Sequence, residues 1–406
     1  MELPHQESQS THETRRLLVV APQPFYEDRG TPIALRQVLE ALSNLGHRVD
    51  LLSFPVGEDI DLPGLRIFRA SNPFGVKSVP VGLSLRKLVL DASLVTALRR
   101  RLAREQYACI HALEEAAFPA AVLARVHGVP LLYDMQSCLP EQLFQHFVFR
   151  LPPIRWIVQA LERWLLARSD LVVSSAGLAE YVRRASPNTA VREWRFSATV
   201  AEPDPKTAGA VRAGLGLSPD QPLVLYSGTF EEYQGLGELI RAIPLVRAVY
   251  PNAMFVLVGA ESGTDVIEDI PAARPHLDSG ALRLVERQPR PRLGAYHAAA
   301  DVLVSPRAYG GNLPLKVFEY LAAGRPIVAT DIPCHRTVLT EDRAVLVAPE
   351  AKALADGVLR VLRDPDGAAR LAGAARQYAH EHLDWAAFVR GVGELYDDAR
   401  HNAGRR

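Results

Sequence analysis

Short apolar runs alternate along the chain with longer stretches in which apolar residues recur every three or four positions. The first run, at residues 17–21, precedes a turn-rich stretch and a helical pattern that ends at Gly46. Short apolar runs predict buried strands, and the longer periodicity predicts amphipathic helices. Further runs in the first half lie at residues 49–54, 108–111, 130–133 and 171–174. This alternation is typical of a parallel sheet with crossover helices.

The pattern fades between residues 195 and 218, where proline and glycine accumulate, and a second series of strands and helices follows. We therefore predict a linker there and two Rossmann-like domains around it. Trp385, Phe388, Val392 and Tyr396 have helical spacing near the end of the chain. The predicted organisation is a flexible tail at 1–14, a first domain at 15–200, a second at 201–384, and a helix at 385–406 that packs back on the first domain.

The amino-acid composition argues against some classes of partner and cellular location. The 406 residues carry 46 basic and 46 acidic side chains, so no overall field favours nucleic acid. The three cysteines, Cys109, Cys138 and Cys334, are widely spaced and are expected to be free thiols. The first fourteen residues lack the apolar stretch of a signal peptide, and charges interrupt every long apolar run. We expect a cytoplasmic protein.

The most informative stretch, residues 305–333, predicts a strand end, a glycine-containing loop, a helix and the next strand. Asn312 is a candidate N-cap, Pro314 suits the first helical turn, and Gly324 stops the helix. A helix N-terminus beside a glycine turn at Gly310 and Gly311 presents free N–H groups to an anion. An anion-binding site is therefore expected here.

Lys316 falls in the first turn of that helix, where a cation opposes the helix dipole unless an anion meets it. A diphosphate would supply the anion. Glu319 lies three residues further on and shares a helix face with Lys316, where a carboxylate suits ribose hydroxyls. The alternative is an ordinary surface pair between the two. The glycine loop and the nearby Arg307 favour ligand binding.

The stretch resembles the signature of the family 4 glycosyltransferases, whose GT-B fold has two Rossmann-like domains facing across a donor cleft. Glu319 matches the second signature glutamate, and Gly324, Pro326 and Val328 match the strand entry that follows. Gly311 stands where the family has its first glutamate, so the sugar contacts of that carboxylate do not carry over. The stretch is most similar to a subgroup with a Gly-x-Asn-x-Pro-Leu-Lys pattern. The residues that would face the donor are then Arg307, Asn312, Leu313, Pro314, Leu315, Lys316 and Glu319.

Residues 226–235 resemble the strand and loop that open the donor domain of this family. Many members carry an arginine and a lysine there for the diphosphate. This chain has Thr229 or Phe230, and Gln234, in the corresponding places. Arg307 and Lys316 are therefore the expected charge partners of the leaving group. Gly228 is expected to leave room for a phosphate, although a simple turn would also require glycine.

In the first half, residues 24–32 look like the family's glycine loop on the acceptor side. Gly30 is expected to let the backbone approach the donor, and Arg29 to meet phosphate. Thr31 is a candidate N-cap. Glu27 and Asp28 could bind acceptor hydroxyls, but the favoured interpretation is that they are loop residues whose charges face solvent.

Three polar residues follow predicted strands, where clefts of open α/β sheets form: His111, Asp134 and Gln136. The resemblance suggests that they orient the acceptor. Many members carry a histidine where Gln136 stands, so no catalytic imidazole is claimed there. His111 at a strand end is more often structural than an acid–base group, and Asp134 could equally cap a turn.

The resemblance implies a retaining, metal-independent transfer from a UDP- or GDP-linked sugar to the hydroxyl of a glycan or lipid-linked acceptor, with the nucleotide sugar as co-substrate and no other cofactor. Asp59 and Asp61 form only a weak metal motif, and no metal site is predicted. The alternatives are a scaffold that binds nucleotide sugar without turnover and a nucleotide-sugar epimerase or phosphorylase on a similar fold. No Gly-x-Gly-x-x-Gly follows a predicted strand, which disfavours a dehydrogenase.

Basic and apolar residues are interleaved at residues 76–102 and 150–168. Such stretches suit peripheral contact with an anionic membrane. An amphipathic helix packed on the sheet with its basic face in water is the equally weighted alternative.

Overall fold

The computed structural model describes residues 13–27, 30–76, 85–144, 147–197, 205–260, 270–310 and 314–405. The chain forms two compact units: Met1–Trp194 with Val389–Arg406, and Arg195–Phe388. Each unit is a parallel sheet with helices, which confirms the predicted α/β fold. The division falls at Trp194, six residues before the boundary placed at residue 200, and the C-terminal segment is shared between the units.

The first unit contains a seven-stranded parallel sheet in the order β3-β2-β1-β4-β5-β6-β7. Its central strands β1, β4 and β5 are largely apolar and, apart from Arg16, fully buried, as expected for strands covered on both faces. The strands are β1 (Arg16–Ala21), β2 (Arg48–Ser53), β3 (Leu65–Arg69), β4 (Cys109–Leu113), β5 (Leu131–Met135), β6 (Leu171–Ser174) and β7 (Val191–Glu193).

Helices connect these strands and cover the sheet. Leucine and alanine side chains of α2, α3 and α6 share one core with β4, β5 and β6. The helices before the unit boundary are α1 (Gly30–Asn44), α2 (Leu85–Arg104), α3 (Ala117–His127), α4 (Leu139–Leu143), α5 (Phe147–Arg150), α6 (Pro152–Leu166) and α7 (Ala176–Ala185).

The second unit has a six-stranded parallel sheet in the order β10-β9-β8-β11-β12-β13. The order reverses between β8 and β11, and such a switch point is where open α/β sheets bind ligands. The strands are β8 (Leu223–Ser227), β9 (Met254–Ala260), β10 (Leu282–Glu286), β11 (Val302–Ser305), β12 (Ile327–Thr330) and β13 (Val345–Val347).

The helices of the second unit pack against its sheet and against one another. They are α8 (Pro205–Gly214), α9 (Leu236–Arg247), α10 (Arg274–Asp278), α11 (Arg290–Ala299), α12 (Leu315–Ala323), α13 (Pro333–Arg336), α14 (Ala351–Arg363) and α15 (Pro365–His382).

The last helix, α16 (Trp385–Ala403), begins in the second unit and ends in the first. Tyr396 is fully buried, and its hydroxyl lies 2.7 Å from His111 Nδ1 on β4. Asp397 pairs with Arg15, and Asn402 Nδ2 donates to the Asp170 carbonyl at 3.0 Å. The part of the helix from Val389 onward therefore packs on the first unit.

Local predictions failed at three places. The predicted linker contains α8, which packs against α11; Pro205 begins this helix and so removes no helical hydrogen bond. Helix α1 begins at Gly30, so Thr31 lies inside its first turn and is not the N-cap. Strands β3 and β7 were missed, because both mix charged and apolar residues and neither is fully buried.

All three cysteines are buried free thiols, as predicted. Among the described residues, no helix is both long enough and apolar enough to cross a bilayer.

Candidate functional site

The candidate donor site of the second unit begins where β8 ends. Gly228 follows the strand with φ of +139°, a conformation that side chains disfavour, and a Cβ there would overlap the Lys316 ammonium. Gly259, at the end of β9, has φ of +129°, and a Cβ there would overlap the Gly228 carbonyl. The positive φ angles favour glycine at both positions, and Gly228 packs against Lys316 while Gly259 packs against Gly228.

Lys316 lies in the first turn of α12 with only 9% of its surface exposed. Its Nζ donates a hydrogen bond to Gln234 Oε1 at 3.1 Å and lies 3.8 Å from the centre of the Tyr226 ring. The Tyr226 hydroxyl donates to the Thr229 carbonyl at 2.6 Å, and Gln234 Nε2 donates to Thr229 Oγ1 at 3.3 Å. The loop after β8 and the start of α12 therefore form one polar cluster.

Burial and the positive charge of Arg307 hold the pKa of Lys316 well below its usual range, against the opposing effects of Glu319 and Glu231. Glu319 is also buried, with 7% of its surface exposed. The alternative of an ordinary surface pair between Lys316 and Glu319 is therefore wrong. No carboxylate of the described chain lies within ion-pair distance of Lys316, so a neutral amide is its bonded acceptor.

Arg307 follows β11 and lies in the same site. Its guanidinium stacks 5.0 Å from the centre of the Tyr233 ring, and its Nε donates to the Tyr309 carbonyl at 2.9 Å. Gly310 has φ of +121°, and a Cβ there would overlap the guanidinium. The glycine of this turn thus makes room for Arg307.

The N-cap of α12 is Pro314, with φ of −67° and ψ of 131°, and the helix starts at Leu315. The N-cap role given to Asn312 is therefore wrong, because that residue precedes the helix by three positions. Asn312 and Leu313 themselves lie outside the described residues. Gly324 ends the helix with φ of +61°, as predicted.

Sequence reasoning missed the buried histidines beneath this site. His297 Nε2 lies 2.8 Å from Ser227 Oγ, and burial together with the charge of Lys316 lowers the pKa of His297 to about 3. His335 Nε2 lies 3.0 Å from Ser305 Oγ, and burial lowers its pKa to about 4. Neither histidine belongs to a recognisable sequence motif. Only the folded structure shows that each is uncharged and bonded to the serine at the end of a strand.

In the first unit, His111 and Asp134 belong to a buried network. Asp134 Oδ1 accepts from Trp194 Nε1 at 2.8 Å and from Gln136 Nε2 at 2.6 Å, and Oδ2 lies 3.4 Å from His111 Nε2. His111 has no exposed surface, and Tyr396 occupies its other ring nitrogen. His111 and Asp134, which is 3% exposed, are thus both engaged in structural contacts, and a role in orienting the acceptor stays a prediction for either residue. Asp134 accepts a hydrogen bond from the partly exposed Gln136.

Glu114 is the residue of the first unit that sequence reasoning overlooked. It follows β4 with φ of +47°, and Ser137 Oγ, which follows β5, donates to its carboxyl at 2.7 Å. Burial, with smaller effects of Glu115 and Asp134, raises the pKa of the Glu114 carboxyl to about 8. A displaced pKa and an unfavourable backbone angle at strand ends are typical of functional sites.

The structure gives less information on the remaining residues that were singled out in the sequence. Gly30 is the first residue of α1, whereas Arg29 and Asp28 lie outside the described residues. Asp59 is bonded to Arg69 at 2.5 Å. Within the described ranges, no group of three acidic, histidine or cysteine side chains is arranged to hold a metal ion.

Comparison with known proteins assigns the family. The family model "Glycosyl transferases group 1" matches residues 209–378, and the "Glycosyl transferase 4-like domain" model matches residues 29–194. A glycogen synthase of Mycobacterium tuberculosis is 29% identical over 295 residues, which are 69% of this chain and 66% of that protein.

Two solved structures show the same fold. A sucrose-phosphate synthase from Thermosynechococcus elongatus superimposes with a TM-score of 0.78 at 23% identity, covering 94% of this chain and 98% of that one. The Anabaena protein HepE in complex with UDP-glucose has a TM-score of 0.71 at 17% identity, with the same coverage of 94% and 98%. The two family models together match most of the sequence, and the chain belongs to the family 4 glycosyltransferases with the GT-B fold.

Proposed function

We propose that this chain transfers a sugar from a UDP- or GDP-linked donor to an acceptor hydroxyl, with retention of configuration and without a metal ion. The buried Lys316 ammonium carries the proposal, since its bonded acceptor is the neutral Gln234 amide. A buried cation without a bonded anion is destabilising, so its presence at a helix N-terminus is explained by an anionic ligand. The UDP-glucose complex of the HepE structure supports a UDP-linked donor.

The side chains suggest how transfer proceeds. Lys316, Arg307 and the N-terminus of α12 offset the charge that develops on the departing nucleoside diphosphate, and Glu319 binds ribose hydroxyls. The proposal requires no covalent nucleophile, because the site is equipped to stabilise the leaving group and to align the acceptor. Gln136, held by Asp134 at 2.6 Å, is the described polar side chain we assign to the acceptor, a glycan or lipid-linked sugar.

Nucleotide binding by two lysine variants tests the donor site. We expect UDP or GDP to raise the melting temperature of the unaltered chain. Lys316→Met should weaken that nucleotide roughly tenfold to a hundredfold, because a hydrogen bond to a charged group contributes about 1.5–3 kcal/mol. Lys352→Met is the matched control, since Lys352 is exposed and pairs with Asp356 on α14.

Without nucleotide, Lys316→Met should unfold at a higher temperature than the unaltered chain, because the variant no longer buries an amine. Weak binding together with lower stability would indicate misfolding instead. Equal nucleotide affinity in Lys316→Met and the unaltered chain would refute the donor site.

Turnover then separates a transferase from a scaffold. We expect the anomeric signal of the NMR spectrum to show product of the same configuration as the donor, with an unchanged rate in excess EDTA. Nucleotide binding without transfer to any acceptor of a hydroxyl-bearing panel would favour the scaffold, and an inverted product would contradict retention.

A further inference from the structure

Three helices of the first unit, α2, α3 and α6, form one continuous surface together with the short helix α5. The inward side chains of α2, α3 and α6 share a single core, represented by Leu94, Ala120 and Leu165. Helix α2 packs on α3, and α3 packs on α6, which is flanked by α5. We call the exposed side chains of residues 85–104, 117–127 and 147–166 the outer face.

The outer face is unusually apolar. Eight of the twelve large apolar side chains that are exposed in the described chain lie on it. Phe147 is 75% exposed, Trp156 66% and Ile157 50%, and they occupy α5 and the start of α6. The remaining five are Leu88, Val122, Val126, Leu151 and Leu161. Exposed apolar residues clustered in this way mark an interaction surface, whereas scattered ones do not.

The charges of the outer face have one sign. Its exposed arginines are Arg86, Arg99, Arg100, Arg104, Arg125, Arg150, Arg155 and Arg163. The segments contain two acidic residues, and neither is exposed: Asp91 is partly buried, and Glu162 is 1% exposed and accepts from the Leu139 backbone at 2.8 Å. By contrast, the solvated helix α14 carries Lys352 paired with Asp356.

Interleaved arginines and apolar side chains match the chemistry of an anionic bilayer surface. The arginines meet headgroup phosphates, while tryptophan and aliphatic side chains enter the interfacial layer. A polyanion such as nucleic acid would satisfy the charges but would leave Ile157, Leu161 and Val126 in water. We propose that the outer face docks this protein on an anionic lipid bilayer.

The structure changes the membrane surface expected from sequence. Arg101 is bonded to Asp50 at 2.7 Å and Lys87 to Glu115 at 2.5 Å, so both are removed from it. Helix α3, which sequence reasoning did not include, adds Val122, Arg125 and Val126. The outer face therefore arises from the folding of the first unit and coincides with neither of the basic stretches at residues 76–102 and 150–168.

Vesicle co-sedimentation of the full chain tests the proposal. At low salt we expect binding to vesicles of equal parts phosphatidylglycerol and phosphatidylcholine, and much weaker binding to phosphatidylcholine alone. Arg155→Glu with Arg163→Glu should weaken binding to the anionic vesicles at least tenfold, since each basic residue near the surface contributes about 1 kcal/mol. Arg360→Glu, at an exposed site on α14, should have no effect.

The apolar part has its own test. Brominated phosphatidylcholine in the anionic vesicles should quench the fluorescence of Trp156, measured as the difference between the unaltered chain and Trp156→Phe. Ile157→Ser with Leu161→Ser should weaken binding, whereas Leu245→Ser on α9, exposed to 44%, should not.

Equal partitioning onto neutral and anionic vesicles would overturn the proposal, as would an equal loss in Arg360→Glu. Unquenched Trp156 would exclude insertion of α6 and overturn the docking geometry. Nucleotide stabilisation should be unchanged in all these variants, so failure here is distinguishable from failure of the proposed donor site.

Discussion

Two ionisable side chains, one in each unit, are held toward their neutral forms. Burial lowers the pKa of the Lys316 amine and raises that of the Glu114 carboxyl, because both lose the solvation of their charged form. In each case the residue follows a strand end or begins the helix after one. Ligand binding in such places can restore a charge that the empty protein disfavours.

Glu114 should make stability depend on pH. Its pKa of about 8 exceeds the value of 4.5 of a solvated glutamate, so the folded protein binds more protons between these values. The free energy of unfolding should therefore fall as pH rises through this window. Glu114→Gln should remove the dependence and stabilise the protein by about 2 kcal/mol above pH 8, a value reduced from the full shift for partial exposure.

Urea unfolding of the first unit across this pH range measures the effect of Glu114→Gln. Glu180→Gln on α7 is the control, because Glu180 is exposed and its ion-pair partner among the described residues is the neighbouring Arg184. An identical pH profile for Glu114→Gln and the unaltered chain would contradict the prediction.

At the residue scale, the sequence indicated that Arg307, Lys316 and Glu319 belong together, since their spacing around one loop and helix is local. It could not indicate that Lys316 donates to Gln234, 82 positions away, or that Gly228 packs against the same ammonium. The burial of His111 was equally hidden, because its partner Tyr396 is 285 positions away. Tertiary contacts decided these roles.

At the element scale, the loop after β8 and the N-terminus of α12 depend on each other. Gly228→Ala would introduce a Cβ at φ of +139° and displace the Lys316 ammonium. We expect destabilisation by about 1–3 kcal/mol, the cost of a disfavoured backbone conformation, and a loss of nucleotide stabilisation.

Gly216→Ala is the matched control for Gly228→Ala. Gly216 also has positive φ, +66°, but a Cβ there would meet no atom within 4 Å. Melting temperatures with and without nucleotide should show a modest loss of stability and intact binding in this control. Intact binding in Gly228→Ala would show that the close packing is not needed for the site.

Apolar strands were easier to predict from the sequence than strands with charged residues or helices that contain glycine. Largely apolar runs such as β4 and β11 are buried along their whole length, so the sequence predicts them as strands without ambiguity. Strand β3 (Leu65–Arg69) carries arginines that stay partly exposed, and its pairing with β2 determines its conformation. Helix α8 contains Gly209 and Gly214, and it is stabilised by packing on α11 rather than by local propensity.

At the scale of the whole molecule, α16 completes the first unit from the far end of the chain. Deleting residues 389–406 should expose the core around Val392, Tyr396 and Ala399, which are at most 1% exposed. We expect amide hydrogen exchange to accelerate in β1 and β4 and to remain slow in β8 and β11, since the second unit has its own core.

Tyr396→Phe is the conservative comparison for this deletion. It removes only the hydroxyl bonded to His111, which should cost about 1–2 kcal/mol. Unchanged exchange in β1 and β4 after deletion would show that the first unit folds without α16.

The shared C-terminal helix also fixes an order of events on the ribosome. The residues of the first unit up to Trp194 are synthesised before the second unit, whereas Val389–Arg406 are synthesised only after it. The second unit, Arg195–Phe388, is one contiguous segment, so its residues leave the ribosome before Val389–Arg406 do. Until then the nascent first unit lacks the residues that cover His111, so we expect a chaperone that protects this protein during translation to bind the amino-terminal half.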